Sequence, residues 1–231
     1  MATYDADTAT LESASAGLAE VLRSSDPRTA IPSCPGWTMT DLGGHVADIH
    51  RWVLGQLTGA DPPAVANGTD LATRFTAGAD ALVAALRERG PDDACPAIYP
   101  PDRAATWARR QAHETVIHLW DARNAVGAAP RLQADTAADG VREVLEDLYP
   151  RQVRLGRVEP LAATVVTAFS DAAGTGTLAG TAGGAPVVRV TGRAEDLLLV
   201  LWGRRELDAV TLTIDGDRAA FDAALATKLV P

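Results

Sequence analysis

Residues 104–126 read AATWARRQAHETVIHLWDARNAV, and Gly127 follows. No proline or glycine interrupts the run, so it predicts one long helix that stops at Gly127. Two of the chain's four histidines, His113 and His118, lie on it, with Glu114 between them. The other two, His45 and His50, fall on a helix that starts after Thr38-Met-Thr-Asp41 and runs to about Leu57. That tetrapeptide resembles a capping box, in which the Thr side chain bonds a backbone N–H of the first turn; Asp replaces the usual Glu or Gln. Thr8 to Ser24 adds a helix with Leu11, Leu18, Val21 and Leu22 at helical spacing. Leu71 to Arg89 adds another, with Phe75, Leu82 and Leu86 near one face and Gly90-Pro91 as its stop. Residues 31–36, 60–69 and 91–103 collect prolines, with glycine in the first two, and read as loops. Thr136 to Leu148 forms a further helix, ended by Pro150.

After residue 160 the hydrophobic period changes. Thr164 to Phe169 is β-branched and apolar and reads as a strand, as does Pro186 to Thr191, with Gly-rich turns at 174–176 and 183–184 between them. Ala194 to Trp202 reads as a helix, Ala209 to Ile214 alternates as a strand, and Asp217 to Lys228 closes the chain as a helix. The fold class is therefore α+β: a helical domain over 1–152 followed by a small α+β domain over 153–231, divided in the stretch from Pro150 to Pro160.

Composition narrows the class of function. The 231 residues carry 21 basic and 30 acidic side chains, a net charge of −9, and 47% hydrophobic residues. This is a globular composition with an acidic surface that repels phosphate backbones, so nucleic acid is not an expected partner. The apolar run Leu197 to Trp202 falls far short of the ~20 residues that span a bilayer. Asp5, Asp7 and Glu12 near the N-terminus, without a basic residue, argue against a secretory signal. Cys34 and Cys95 are the only cysteines, too few for a disulfide framework or a Cys-rich zinc site. A cytoplasmic protein, monomer or homodimer, is expected. Lys228 is the only lysine among the basic residues, and with abundant Ala and Gly this fits a GC-rich genome.

The clustering of all four histidines on two helices is the strongest chemical signal. Residues four apart on a helix differ by about 40° in direction, so Glu114 and His118 share a face and can hold one ion together. His113 and His118 are about 140° apart, as are His45 and His50, so neither pair easily serves one ion. The simplest site combines the Glu114/His118 pair with one histidine of the earlier helix. Two imidazoles and a carboxylate suit a metal that keeps an open position. The spacing His-Glu-x-x-x-His is not that of the zincin proteases. Asp41, Asp48 and Asp121 are three, four or seven residues from these ligands. They are candidates for holding ring N–H groups or plain solvated charges, the latter favoured for Asp48.

Ile31-Pro-Ser-Cys-Pro-Gly-Trp-Thr-x-x-Asp-Leu-x-x-His45 resembles the opening motif of the mycothiol-dependent maleylpyruvate isomerase-like family. So do Ile49-His-Arg-Trp52, His113-Glu-Thr-Val-Ile-His-Leu-Trp-Asp121 and Leu198-Leu-Leu-Val-Leu-Trp-Gly-Arg204. These motifs span both expected domains. The resemblance implies a DinB-like four-helix bundle followed by a sterol-carrier-like α+β domain, with His45, Glu114 and His118 as ligands of zinc or another divalent metal. It also implies mycothiol as thiol cosubstrate, a small organic substrate, and an actinobacterial host. A thiol of pKa near 8.5 is mostly protonated at neutral pH, and a divalent ion favours its thiolate. An isomerase adds such a thiolate to an activated alkene, which rotates before the thiol leaves; an S-transferase keeps the adduct or displaces a leaving group. Arg204 is the candidate for binding a substrate carboxylate, with a surface arginine beside Arg205 as the equal alternative. Cys34 reads as loop packing rather than a nucleophile, and Trp37, Trp52 and Trp120 as bundle packing. Two other functions stay open: a metal- or ligand-binding stress-response protein without catalysis, and a metal-dependent hydrolase.

Overall fold

Four helices form where the sequence places them. The computed structural model describes residues 3–61, 69–181 and 187–231. Most of the loop expected over 60–69, the turn expected at 183–184 and Pro186 lie outside the described residues. Helix α1 (Tyr4–Ser24) starts at Thr3, whose hydroxyl accepts from the Ala6 amide. Helix α2 (Met39–Thr58) starts with the expected capping box: Thr38 accepts from the Asp41 amide and the Asp41 carboxylate accepts from the Thr38 amide. Helix α3 (Leu71–Glu88) is capped by Asp70, and α4 (Ala104–Ala125) is the long helix. Helix α1 packs on α3 and α4, and α2 packs on the same two, which closes a four-helix bundle.

Two apolar clusters fill the bundle. One gathers Leu11, Val53, Leu57, Leu82, Leu86 and Trp107, and the other Leu18, Ile31, Met39, Leu42, Val46 and Phe75. All of these are at most 2% exposed. Emptying one such site to alanine costs about 2–5 kcal/mol. The buried polar side chains His50, Arg110, His113, His118 and Asp121 lie on α2 and α4, where they interrupt this apolar filling.

Contacts divide the chain into two units, one running to Pro130 and the other from Arg131 to Pro231. The second contains α5 (Ala134–Arg142), a π-helical turn over Glu143–Leu148, α6 (Tyr149–Arg154), four strands, α7 (Ala194–Leu201) and α8 (Arg218–Ala226). Helix α5 packs on α7 and on the second strand, which places it with the second unit. Pro150 does not end the helical run. It sits in the first turn of α6, directly after the π-helical turn.

The sheet has strand order β2-β1-β3-β4, with β1 (Thr164–Phe169), β2 (Thr175–Leu178), β3 (Val187–Gly192) and β4 (Thr213–Asp215). Strands β1 and β3 pair in parallel and the other neighbours antiparallel. Val165, Thr167, Val188 and Val190 point to the buried face. Strand β2 occupies a stretch read as a turn. Its Gly176 lies so close to β1 that a Cβ there would stand 2.9 Å from the Thr167 hydroxyl oxygen, so the glycine marks close approach within a sheet. Strand β4 begins later than Ala209, because Leu207–Ala209 forms a 3-10 turn. Among the described residues, no helix is long and apolar enough to cross a membrane.

Candidate metal centre

The capping box fixes where α2 begins, and His45 follows two turns later with its side chain 34% exposed. It faces α4. Its Nε2 lies 3.3 Å from Glu114 Oε1, and His118 Nε2 lies 3.3 Å from the same oxygen. One ligand atom from each of the three residues falls within 4.8 Å of the others. The two imidazoles meet edge to face, with centroids 5.1 Å apart. Trp37, from the loop before α2, covers both, at 4.9 Å from the His45 ring and 6.2 Å from the His118 ring.

Two of these three side chains are held from behind. His118 Nδ1 lies 3.1 Å from Asp121 Oδ2, and Asp121 is fully buried. Ser33 Oγ donates to Asp121 Oδ1 at 2.6 Å, and the Cys34 thiol points at Asp121 Oδ2 from 3.6 Å. The loop that carries both is tied by backbone bonds between Ile31, Cys34 and Trp37, and it turns through Gly36 at φ 85°. The second oxygen of Glu114 takes a close ion pair from Arg110, one turn earlier on α4 and itself buried.

The electrostatics follow from these contacts. Burial alone would raise the Glu114 carboxyl, but the Arg110 guanidinium and the hydrogen bonds from His118 and His45 hold it well below the usual carboxylate range. Burial also opposes charge on His118, yet its bonds to Asp121 and Glu114 push it up to about 9 in the metal-free protein. His50 goes the other way. Burial drives it down to about 4, against the attraction of Glu114 and with the repulsion of His118. Its Nε2 lies 3.0 Å from Thr115 Oγ1 and its ring packs on Phe75.

Of the two histidines left open on α2, the structure brings His45 beside Glu114 and His118, whereas His50 is buried against Thr115 and Phe75. Asp41 is spent on the helix cap. Asp48 is exposed and lies 3.8 Å from Arg74. Asp121 holds the His118 ring. A second convergent group, Cys34, His118 and Asp121, shares His118 through its other nitrogen. Its Asp121 already accepts from Ser33 and faces His118, so it reads as support for the first group. Arg204 lies in the second unit beyond α7, where Nη1 donates to the Trp202 carbonyl at 2.8 Å and the guanidinium lies 5.4 Å from the Trp202 ring centroid. Its neighbour Arg205 pairs with Asp196 and Glu195. Sequence reasoning missed Arg110. Its signal was present in the four-residue spacing to Glu114 on one helix face.

Two histidines and a glutamate converging between helices, followed in the chain by a small mixed sheet with helices, define a bundle protein whose core can hold a divalent ion. The chain belongs to the mycothiol-dependent maleylpyruvate isomerase family: residues 8–123 match the mycothiol maleylpyruvate isomerase N-terminal domain, and residues 135–223 match the MDMPI C-terminal domain. Two solved structures share the fold. A mutant of the mycothiol-dependent maleylpyruvate isomerase is 14% identical, with a TM-score of 0.63 over 92% of this chain and 93% of that one. A second structure of the mycothiol-dependent maleylpyruvate isomerase is 18% identical, with a TM-score of 0.58 over the same shares. No curated protein matches the chain.

Proposed function

We propose that His45, Glu114 and His118 hold one divalent ion, zinc by the nature of its donors, and that the protein is a mycothiol-dependent enzyme. It acts on a small organic substrate as an isomerase or S-transferase, with isomerase favoured by the family. The observation that carries this reading is the convergence of three donor atoms within 4.8 Å, with the remaining nitrogen of His118 held by a fully buried carboxylate. That donor set fits a metal which retains an open coordination position. Such an ion, when bound, supplies a Lewis acid that favours the thiolate over the thiol at neutral pH.

The chain's own residues have separate tasks. Asp121 keeps the proton of His118 on Nδ1 and so presents the Nε2 lone pair to the site. Arg110 keeps Glu114 ionised and occupies its outer oxygen, which leaves Oε1 facing the histidines. Trp37 screens both imidazoles from water. His45, a third exposed, marks the side from which small molecules enter. We assign Arg204 to a substrate carboxylate, to be tested by the rise in KM of Arg204→Ala.

The test is elemental analysis of the wild type and of Glu114→Ala/His118→Ala, purified without added zinc. About one zinc per chain in the wild type, lost in the variant, is expected. A wild type that takes up no metal even when zinc is offered would overturn the reading. Thiol-dependent turnover then separates this enzyme from a hydrolase using the same ion.

A further inference from the structure

Among the described residues, two groups of donor atoms converge closely enough to hold an ion, and both contain His118. The first meets its Nε2. The second lies behind the ring: His118 Nδ1 is 3.1 Å from Asp121 Oδ2, and Cys34 Sγ is 3.6 Å from the same oxygen. All three donors fall within 4.8 Å of one another. Bonds of about 2.0–2.3 Å to nitrogen, oxygen and sulfur place neighbouring donors of a tetrahedral ion roughly 3.4–3.6 Å apart. The two observed separations lie close to that spacing.

The donor chemistry selects the ion. Ser33 Oγ holds Asp121 Oδ1 at 2.6 Å, so Oδ2 is the oxygen turned to the thiol and the imidazole. A carboxylate only accepts, so both contacts to Oδ2 are made by protons, one on Sγ and one on Nδ1. A divalent ion can stand where those two protons stand, with the thiolate and the carboxylate cancelling its charge. Asp121 is fully buried and His118 is buried, whereas Cys34 is half-buried on the loop before α2, so the sulfur is the accessible donor. A thiolate joined by one imidazole and one carboxylate oxygen favours a soft ion over magnesium or calcium, which take oxygen donors.

We propose that Cys34, His118 and Asp121 form a second metal seat, for a soft, thiophilic divalent ion of the cadmium type, and that filling it excludes zinc from His118 Nε2. An imidazole that keeps one proton has one lone pair. An ion on Nδ1 leaves that proton on Nε2, facing Glu114 Oε1 at 3.3 Å. An ion on Nε2 leaves it on Nδ1, facing Asp121. His118 therefore serves one seat at a time. While Nε2 carries the ion, Cys34 and Asp121 support the ring; a thiophilic ion turns the same two side chains into ligands. The exclusion rests on the zinc reading above, and the seat itself stands on its three donors.

The test uses the full-length protein, kept reduced with a phosphine, and cadmium as the probe. Titrated into chelator-treated protein, one cadmium per chain should raise an ultraviolet sulfur-to-cadmium charge-transfer band. Cys34→Ser, which keeps a hydroxyl donor for Asp121 but no sulfur, should lose the band. Cys95→Ser should keep it, since that sulfur lies in the apolar cluster with Leu57 and Trp107. No band in the wild type, or a band that survives Cys34→Ser, overturns the seat. Added to zinc-loaded protein, cadmium should release one zinc per ion bound, read with a zinc indicator. Cys34→Ser should need at least about tenfold more cadmium for the same release. A full band with all zinc retained overturns the exclusion. A full band in a protein that takes up no zinc leaves the seat standing and removes the zinc reading.

Discussion

Asp121 Oδ2 lies 3.1 Å from His118 Nδ1, one turn apart on α4, and the other Asp121 oxygen is held by Ser33 of the loop before α2. The loop, the carboxylate and the His118 ring thus form one connected unit. The Ser-Cys motif at 33–34 matters to the site because it grips the residue that aims His118.

Asp121→Asn should preserve the packing and remove the charge behind His118. Zinc affinity should fall about tenfold or more, within the usual 10–100-fold effect of losing a partner behind a ligating histidine. A competition titration against a chelator reads this directly. Equal affinity in the variant would mean that His118 is aimed by its packing alone.

Arg110 and Glu114 form a buried pair, with side chains 3% and 13% exposed. Removing one partner takes away this buried contact, at a cost of about 3 kcal/mol in the metal-free protein. Arg110→Met and Glu114→Gln should each destabilise, and the double variant should lose clearly less than the sum. Urea unfolding in the presence of a chelator supplies the cycle. An additive double variant would show that the two side chains do not depend on each other.

The helical half was legible because its signals are local. Thr38 and Asp41 announce a capped helix, and the runs from Leu71 and Ala104 have helical spacing and clear stops. Strand β2 was not legible, because Gly176 carries a turn residue's signature and its true reason, contact with Thr167 of β1, exists only once the sheet is assembled. Pro150 misled for a similar reason. The helical run continues through it by way of a π-helical turn, which a proline does not announce in the sequence. At the site, spacing selected Glu114 and His118 but left His45 and His50 open. Only the packing of α2 on α4 separates a half-exposed histidine from one buried against Phe75.

His50 is buried and neutral, with its pKa lowered to about 4 by burial, whereas the unfolded value is near 6.5. Acidification therefore charges the unfolded chain before the folded one. The stability tied to neutral His50 is complete above pH 6.5 and is lost as pH falls through about 4. Its full size is on the order of 3 kcal/mol. His50→Gln should flatten the dependence of unfolding free energy on pH across that window relative to wild type. Parallel curves would mean that His50 takes up its proton in the folded state.

His118 has the opposite sign. In the metal-free protein its pKa is raised to about 9: burial opposes the charge, and the bonds to Asp121 and Glu114 outweigh burial. The stability from this charged ring is complete below pH 6.5 and is lost as pH rises through about 9. A metal ion at Nε2 must displace the same proton, so loading should release it, and apparent affinity should climb about tenfold per pH unit until the ring is neutral without metal. Adding zinc at pH 7.5 in weak buffer should release close to one proton per ion bound. His118→Ala should abolish both the release and the slope. Zinc bound with no proton released would place the ion on atoms that were already bare, away from His118 Nε2.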